Sequence, residues 1–536
     1  MESSRDYAYY KEHAQDVNLG DITSSERNKN IMQKLRDGDS DFTSFLILDE
    51  PMDDMTLNLG NSLIEGICRN RSIESLAIEN DVRSYLPFGR MFKNNNTLNS
   101  LTFECFRMNA RELAVSLGQR SQLKYLNFDN MDFSDEDVSA IAKALVVQPQ
   151  LEELKFEWNE FERDCCVALK TTFMEWGSDS QLKKLDLSCD VIEDEGLNIL
   201  LEGLACCHNL VDLSLSCNTD ISAEGLRGLS SHFQNDVCCL EILNLHNVQI
   251  DDNGAEALAF GLMHYESLKF LDLSRNLVGD AGVAALVSGL TAAANANLET
   301  LNLADNHFST AGIWSLSALI QSTRSSLKQL GLDNREVGAD EAREQASILA
   351  NALRYNTSMR ALDLDYNIRQ AGKEFFSKLL CDTSTINNIY SSNHTLQSIS
   401  SIHGRPDEGK YFDLNYRREL LEPDNCALVP MLKILINYPD LAEMEPFYQW
   451  KLMFLPMIAS WFQRASDARG YFEESVEEFQ RREVSALYKF IRGVPLLVAD
   501  SYWGKQLKQV RLKKRKLEEE EKQILKQLGR GKRVST

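Results

Sequence analysis

Hydrophobic residues along this chain follow a compound pattern: a few positions of strict alternation, a turn, then a longer run at helical spacing. The clearest copy is Leu268 to Leu290, LKFLDLSRNLVGDAGVAALVSGL. Leu271 and Leu273 alternate with Asp272 and Ser274, which predicts a strand with one buried face. Asn276 follows where the chain turns, and its amide can satisfy backbone groups that have no ladder partner. Gly282 then opens a run that sets Val283, Leu286, Val287 and Leu290 on one side of a helix.

Apolar residues at offsets 0, +3 and +5 mark further copies, starting at Ile73, Leu98, Leu123, Leu151, Leu182, Leu210, Leu240, Leu268, Leu298, Leu327 and Met359. These starts lie 25 to 32 residues apart, with degenerate outer copies at Phe42 and Leu396. One unit cannot hide its apolar side alone, whereas stacked copies share a continuous core. LDLSCDVIEDEGLNILLEGL, LNLHNVQIDDNGAEALAFGL and LNLADNHFSTAGIWSLSALI resemble the long, helix-containing leucine-rich repeats typified by ribonuclease inhibitor. The resemblance implies an α/β fold: a right-handed horseshoe with parallel strands inside, helices outside and an α-helical C-terminal cap. The run LPMIASWFQRA…EVSALYKFIRGVPLLV is similar to the tail of a group of such proteins in diatoms.

Four regions are expected. Residues 1–41 are a polar segment and a cap helix (28–37), of which 1 to about 27 show no sustained period and read as mobile or loosely docked. Residues 42–403 form a solenoid of about 12 to 13 repeats. Residues 412–500 form a helical cap sealing the last repeat, or else a groove for a partner helix, and 501–536 a charged helix with a basic tail. The seam in that helix fits a weak coiled coil, with a solvated charged helix as the plainer reading.

The formal charge is −23, unevenly placed: residues 505–536 carry 12 basic residues against 4 Glu, leaving the remainder at −31. An acidic body repels phosphates, so direct nucleic-acid binding by the solenoid is not expected. Neither a secretory signal nor an apolar run long enough to span a bilayer is visible, so no membrane association is expected. The chain reads as cytoplasmic, with nuclear entry through Arg511–Lys516 and Arg530–Arg533 as an alternative. The twelve cysteines then read as reduced thiols, including the adjacent pairs Cys165-Cys166, Cys206-Cys207 and Cys238-Cys239. Cys189 and Cys217 share offset +7 near His246, a poor metal set for want of a fourth ligand.

Offsets +4 and +6 face away from the core and line the concave surface. At +6 stand Glu79, Glu104, Asp129 and Glu157 in succession, then His246 among serines, then Asp333 and Asp365. Offset +4 adds Asp186 and Asp272, and Tyr125 and Trp158 border the same face. Like charges about 5 Å apart repel by about 0.8 kcal/mol even at water-like dielectric. The column therefore reads either as a contact surface for a basic protein partner or as a solvated polar face. No phosphate-binding loop, His-Glu-x-x-His or Gly-x-Ser-x-Gly motif is present, and no enzyme activity, cofactor or metal is expected. The expected function is a non-catalytic scaffold. One alternative is a GTPase activator resembling Ran GTPase-activating protein, with Asn159, Asn276, Asn306 and Arg335 as loop candidates; another is an inhibitor of a basic enzyme such as a ribonuclease.

Overall fold

The computed structural model describes residues 15–18 and 44–48, then 66–400 with its longest breaks at 80–96 and 105–109, and beyond these Tyr411, Phe412, Asn415 and Lys433. It divides into two compact units, Met1–Asp382 with Ser391–Tyr416, and Thr383–Tyr390 with Arg417–Thr536. In the second unit Asn388 Nδ2 donates to Ser384 Oγ at 2.8 Å. The expectations for 28–37, for 501–536 and for all but three residues of 412–500 fall outside the described residues. The features below belong to the first unit.

There the alternating stretches become fourteen strands: β1 (Gln15–Asn18), β2 (Ser44–Leu48), β3 (Ser75–Glu79), β4 (Ser100–Glu104), β5 (Tyr125–Asp129), β6 (Glu153–Glu157), β7 (Lys184–Ser188), β8 (Asp212–Ser214), β9 (Ile242–Asn244), β10 (Phe270–Asp272), β11 (Thr300–Asn302), β12 (Gln329–Leu332), β13 (Ala361–Leu364) and β14 (Ser398–Ser400). They form one sheet in chain order, each neighbour parallel. Register runs offset for offset, Leu271 lying between Leu243 and Leu301. Leu271 and Leu273 are both 0% exposed, as the alternation requires. One strand lies where the sequence shows no pattern: β1 pairs with β2, Gln15 against Phe45, inside the stretch read as mobile.

Parallel neighbours need a crossover, and a helix supplies it in each repeat from Ala110–Leu117 to Tyr366–Leu380. Helix Asp280–Thr291 buries Val283, Leu286, Val287 and Leu290, the face its spacing predicts. Each of several helices also caps the next. Asp252 accepts from the N–H groups of Gly279 (2.7 Å) and Gly282 (2.8 Å), and Asp280 from those of Ser309 (2.8 Å) and Gly312 (2.7 Å). Carboxylates at these positions satisfy orphan donors and complement the positive helix end. Gly282 is required, because a Cβ there would stand 2.6 Å from Asp252 Oδ1.

Helices also touch backbone to backbone. A Cβ on Gly289 would lie 2.5 Å from the Ala259 carbonyl oxygen. The helix propensity gained in Gly289→Ala, about 1 kcal/mol, is outweighed by a clash costing about 1 to 3 kcal/mol. A net loss of about 1 kcal/mol is expected in urea unfolding; an unchanged or raised midpoint would show that the helices can part freely. Among the described residues no helix is long and apolar enough to cross a membrane.

Where strands give way to loops, offset +8 carries a ladder of buried amides. Asn276 Oδ1 accepts from the N–H groups of Val248 (2.9 Å) and Ile250 (3.0 Å), and its Nδ2 donates to the carbonyls of Leu245 (2.8 Å), Leu273 (2.9 Å) and Ser274 (3.2 Å). Asn218 does the same for Asp190, Ile192, Leu187, Leu215 and Ser216. Asn159 and Asn306 repeat the scheme, and Val248 interrupts it. Asp190 stands at the same offset as an acid: its Oδ1 accepts from the Asn159 N–H at 2.8 Å. Its Oδ2 is buried without a partner.

Candidate functional site

The face opposite the Leu271 and Leu273 side chains is polar and half-buried, as in β5 and β6, whose half-buried and buried residues alternate. Strand register settles the acidic column. Glu79 pairs with Glu104, Glu104 with Asp129, and Asp129 with Glu157, so four carboxyl-bearing residues stand on successive strands about 4.8 Å apart. Glu79 is placed by its backbone alone. Beneath the column the core is aromatic: Phe103, Phe128 and Phe156 stack with ring centroids 5.7 and 5.0 Å apart.

Sequence reasoning missed the cation in this column. Lys155, at offset +4 of the same strand, lies 2.5 Å from Glu157 and also feels Asp186 and Asp129. Its signal was one Lys at an outward offset where neighbouring repeats carry Asn127 and Asp186. Even so, the acids outnumber it. Burial, reinforced by Glu157, pushes the Asp129 carboxyl up to about 6, with Lys155 pulling the other way. Trp158, next in chain, is 58% exposed and holds a left-handed backbone, φ 60°.

From β7 onward serines replace the acids at offset +6, as at Ser188, Ser216 and Ser274. Asp186 accepts from the Ser188 N–H at 3.2 Å and from the Ser188 hydroxyl. Ser188 in turn lies 2.9 Å from both Ser214 and Ser216. Asp272 Oδ1 accepts from Ser274 Oγ at 2.5 Å, and Ser274 Oγ lies 2.8 Å from His246 Nδ1. Since Ser274 spends its one hydrogen on Asp272, the His246 proton belongs on Nδ1, leaving Nε2 as an acceptor. Burial lowers the His246 pKa, against the pull of Asp272, so the ring is neutral near pH 7.

Glu104, Asp129, Glu157 and Asp186 are thus brought together, while Tyr125 lies at the other end of β5 against Ser100 and Glu153, and His246 and Asp272 form a separate cluster. Asp333 and Asp365 lie on the far repeats, both buried, and Asp365 is committed to capping a helix through the Asn367 N–H at 2.6 Å. The loop candidates Asn159, Asn276 and Asn306 are 4%, 2% and 7% exposed, consumed by the amide ladder, and Arg335 lies outside the described residues. Cys189 and Cys217 remain free thiols, and among the described residues no cluster of three or more acids, histidines or cysteines could hold a metal.

One strand and one helix per repeat, a shared leucine spine and an internal amide ladder define a leucine-rich repeat solenoid. Comparison with known proteins agrees: the leucine-rich repeat family model matches residues 206–230, 238–259, 266–287 and 294–317. Ribonuclease inhibitor of Sus scrofa is 26% identical over 302 residues, 46% of this chain and 65% of the relative. Human NACHT, LRR and PYD domains-containing protein 14 is 26% identical over 297 residues, 50% of this chain and 26% of the relative. A solved structure, a chain from the crystal structure of a TLR13–ssRNA13 complex, overlaps 73% of this chain and 51% of its own at 16% identity and a TM-score of 0.36. These matches support a ribonuclease-inhibitor-like leucine-rich repeat family for the chain. It spans less than two thirds of the length of each of these relatives.

Proposed function

We propose that the chain is a non-catalytic scaffold that holds a basic protein on the acidic rungs of β3 to β6, with Trp158 as an apolar anchor at their edge. The observation that carries this reading is the register that sets Glu79, Glu104, Asp129 and Glu157 on successive strands, where burial and acidic neighbours push the Asp129 carboxyl up to about 6. A column of like charges costs stability, and a cation from a partner would relieve the cost. The kinship with ribonuclease inhibitor supports protein binding in general, and a basic ribonuclease is one partner whose charge would suit the face. The ladder role of Asn159, Asn276 and Asn306 takes support from a GTPase-activating reading, because buried amides cannot orient a nucleotide in another protein.

The test is affinity purification of the full chain from cell extract, with elution by rising salt. Basic proteins should be retained and released as salt screens the rungs. Retention of only acidic or salt-insensitive proteins would sink the reading. A partner cation also favours the ionised form of Asp129, so binding should release a proton and weaken as pH falls through about 6.

A further inference from the structure

Offset +7 forms a column of its own along the edge of the open face. Asn130, Trp158, Cys189, Cys217, Asn247, Arg275 and Asp305 all hold positive φ between 52° and 60°. Each N–H in the middle of this column donates to a carbonyl on the next repeat: Cys189 to Ser216 at 2.8 Å and Cys217 to His246 at 2.8 Å. A left-handed backbone is uncommon for side chains other than Asn, Asp or Gly. Here the inter-repeat bonds hold it, so the side chains of successive repeats stand side by side.

Two of those neighbours are thiols. The strands that carry them are in register, Asp186 against Ser214, so Cys189 and Cys217 are separated by one strand spacing, about 4.8 Å. Cα separations of about 4.4 to 6.8 Å suit a disulfide. Both thiols are free and partly exposed. Asn247 Nδ2 approaches Cys217 Sγ at 3.6 Å from the following repeat.

We infer that Cys189 and Cys217 form a reversible cross-repeat thiol–disulfide site that small neutral peroxides oxidise. Burial, reinforced by the neighbouring Cys217, pushes the Cys189 thiol up to about 12, so Cys189 keeps its proton. Cys217 Sγ faces the Asn247 amide donor and is the attacking sulfur. It displaces hydroxide from hydrogen peroxide and becomes a sulfenic acid. Cys189 then attacks that sulfur, its proton and the sulfenic oxygen leave as water, and the S–S bond forms. In sum two thiols and one peroxide give one disulfide and two waters. The nearby Glu157 carboxylate disfavours anionic oxidants such as oxidised glutathione. An added thiol returns the dithiol by exchange.

The test treats the reduced full-length chain with hydrogen peroxide, blocks residual thiols, and maps bridged peptides by mass spectrometry without reduction. The expected result is a Cys189–Cys217 bridge as the dominant product, removed by dithiothreitol and formed more slowly with oxidised glutathione. Cys189→Ser should leave a sulfenic acid at Cys217 that dimedone captures, and Cys217→Ser should abolish fast oxidation of Cys189. Bridges at Cys165–Cys166, Cys206–Cys207 or Cys238–Cys239 in its place, or no bridge at all, would overturn the inference. Because the wild-type map alone decides between these outcomes, the test survives a variant that fails to fold.

Discussion

Asn276→Ala is expected to lower unfolding stability by about 3 to 5 kcal/mol, the largest loss from any single ladder residue. The side chain serves two N–H donors and three carbonyls across two repeats, and it is 2% exposed. Alanine leaves several of these groups buried and unpaired, each costing about 1 to 3 kcal/mol, with partial relief where water enters. In a stack held by nearest-neighbour contacts, the damage should centre on the repeats that start at Leu240 and Leu268. Chemical denaturation reads the loss, and hydrogen exchange should show protection falling first at Val248 and Ile250. A loss under about 1 kcal/mol would mean that the ladder is ornamental.

Asp190→Asn is expected to do the opposite and stabilise the chain by about 2 kcal/mol near neutral pH, because it would pair a buried orphan. Asp190 performs the accepting half of the ladder scheme, but a carboxyl has at most one hydrogen for the donating half, and its Oδ2 is unpaired. Burial drives its pKa well above the ordinary carboxylate value, against the bond from Asn159, and the charges of Asp186 and Glu157 add to the rise. The folded state therefore holds a proton that the unfolded chain gives up near pH 4. A native state that binds more protons loses stability as pH rises. The group's contribution is thus fully present at acid pH and is lost as pH climbs from about 4 towards the folded pKa. Asparagine supplies the missing N–H donors and has no titration, so the variant should gain stability and lose that part of the pH slope. A destabilised variant with an unchanged slope would contradict the assignment.

Both predictions draw on one alignment. Set the repeats against each other and offset +8 reads Asn159, Asp190, Asn218, Val248, Asn276 and Asn306. The substitution at Asp190 was therefore visible in the sequence, though its burial was not. The spine was fully legible, because alternation at Leu271 and Leu273 has one physical meaning when copied a dozen times. β1 was not: Gln15 stands where other repeats carry an apolar residue, and strand pairing there depends on the backbone of β2. The acidic column was legible as spacing, and its register follows the leucine spine. What escaped is whatever depends on orientation. Lys155 reaches Glu157 within its own strand, and Asp365 turns into a helix cap although its offset matches the column. The left-handed backbone at offset +7 has a sequence signal only at Asn130, Asn247 and Asp305, since Trp158, Cys189, Cys217 and Arg275 are residues that ordinarily avoid it.

The recognition claim stands or falls on charge in the column. The decisive measurement is isothermal titration of a captured basic partner against the wild-type chain and the double variant Glu104→Lys, Glu157→Lys, at low salt. Each reversal removes one favourable contact and adds a repulsive one, together worth about 3 kcal/mol, so an affinity loss of about a hundredfold is predicted. Proton release near pH 6 on binding the wild-type chain is expected alongside it. Equal affinity for the two proteins, with the solenoid intact, would contradict it.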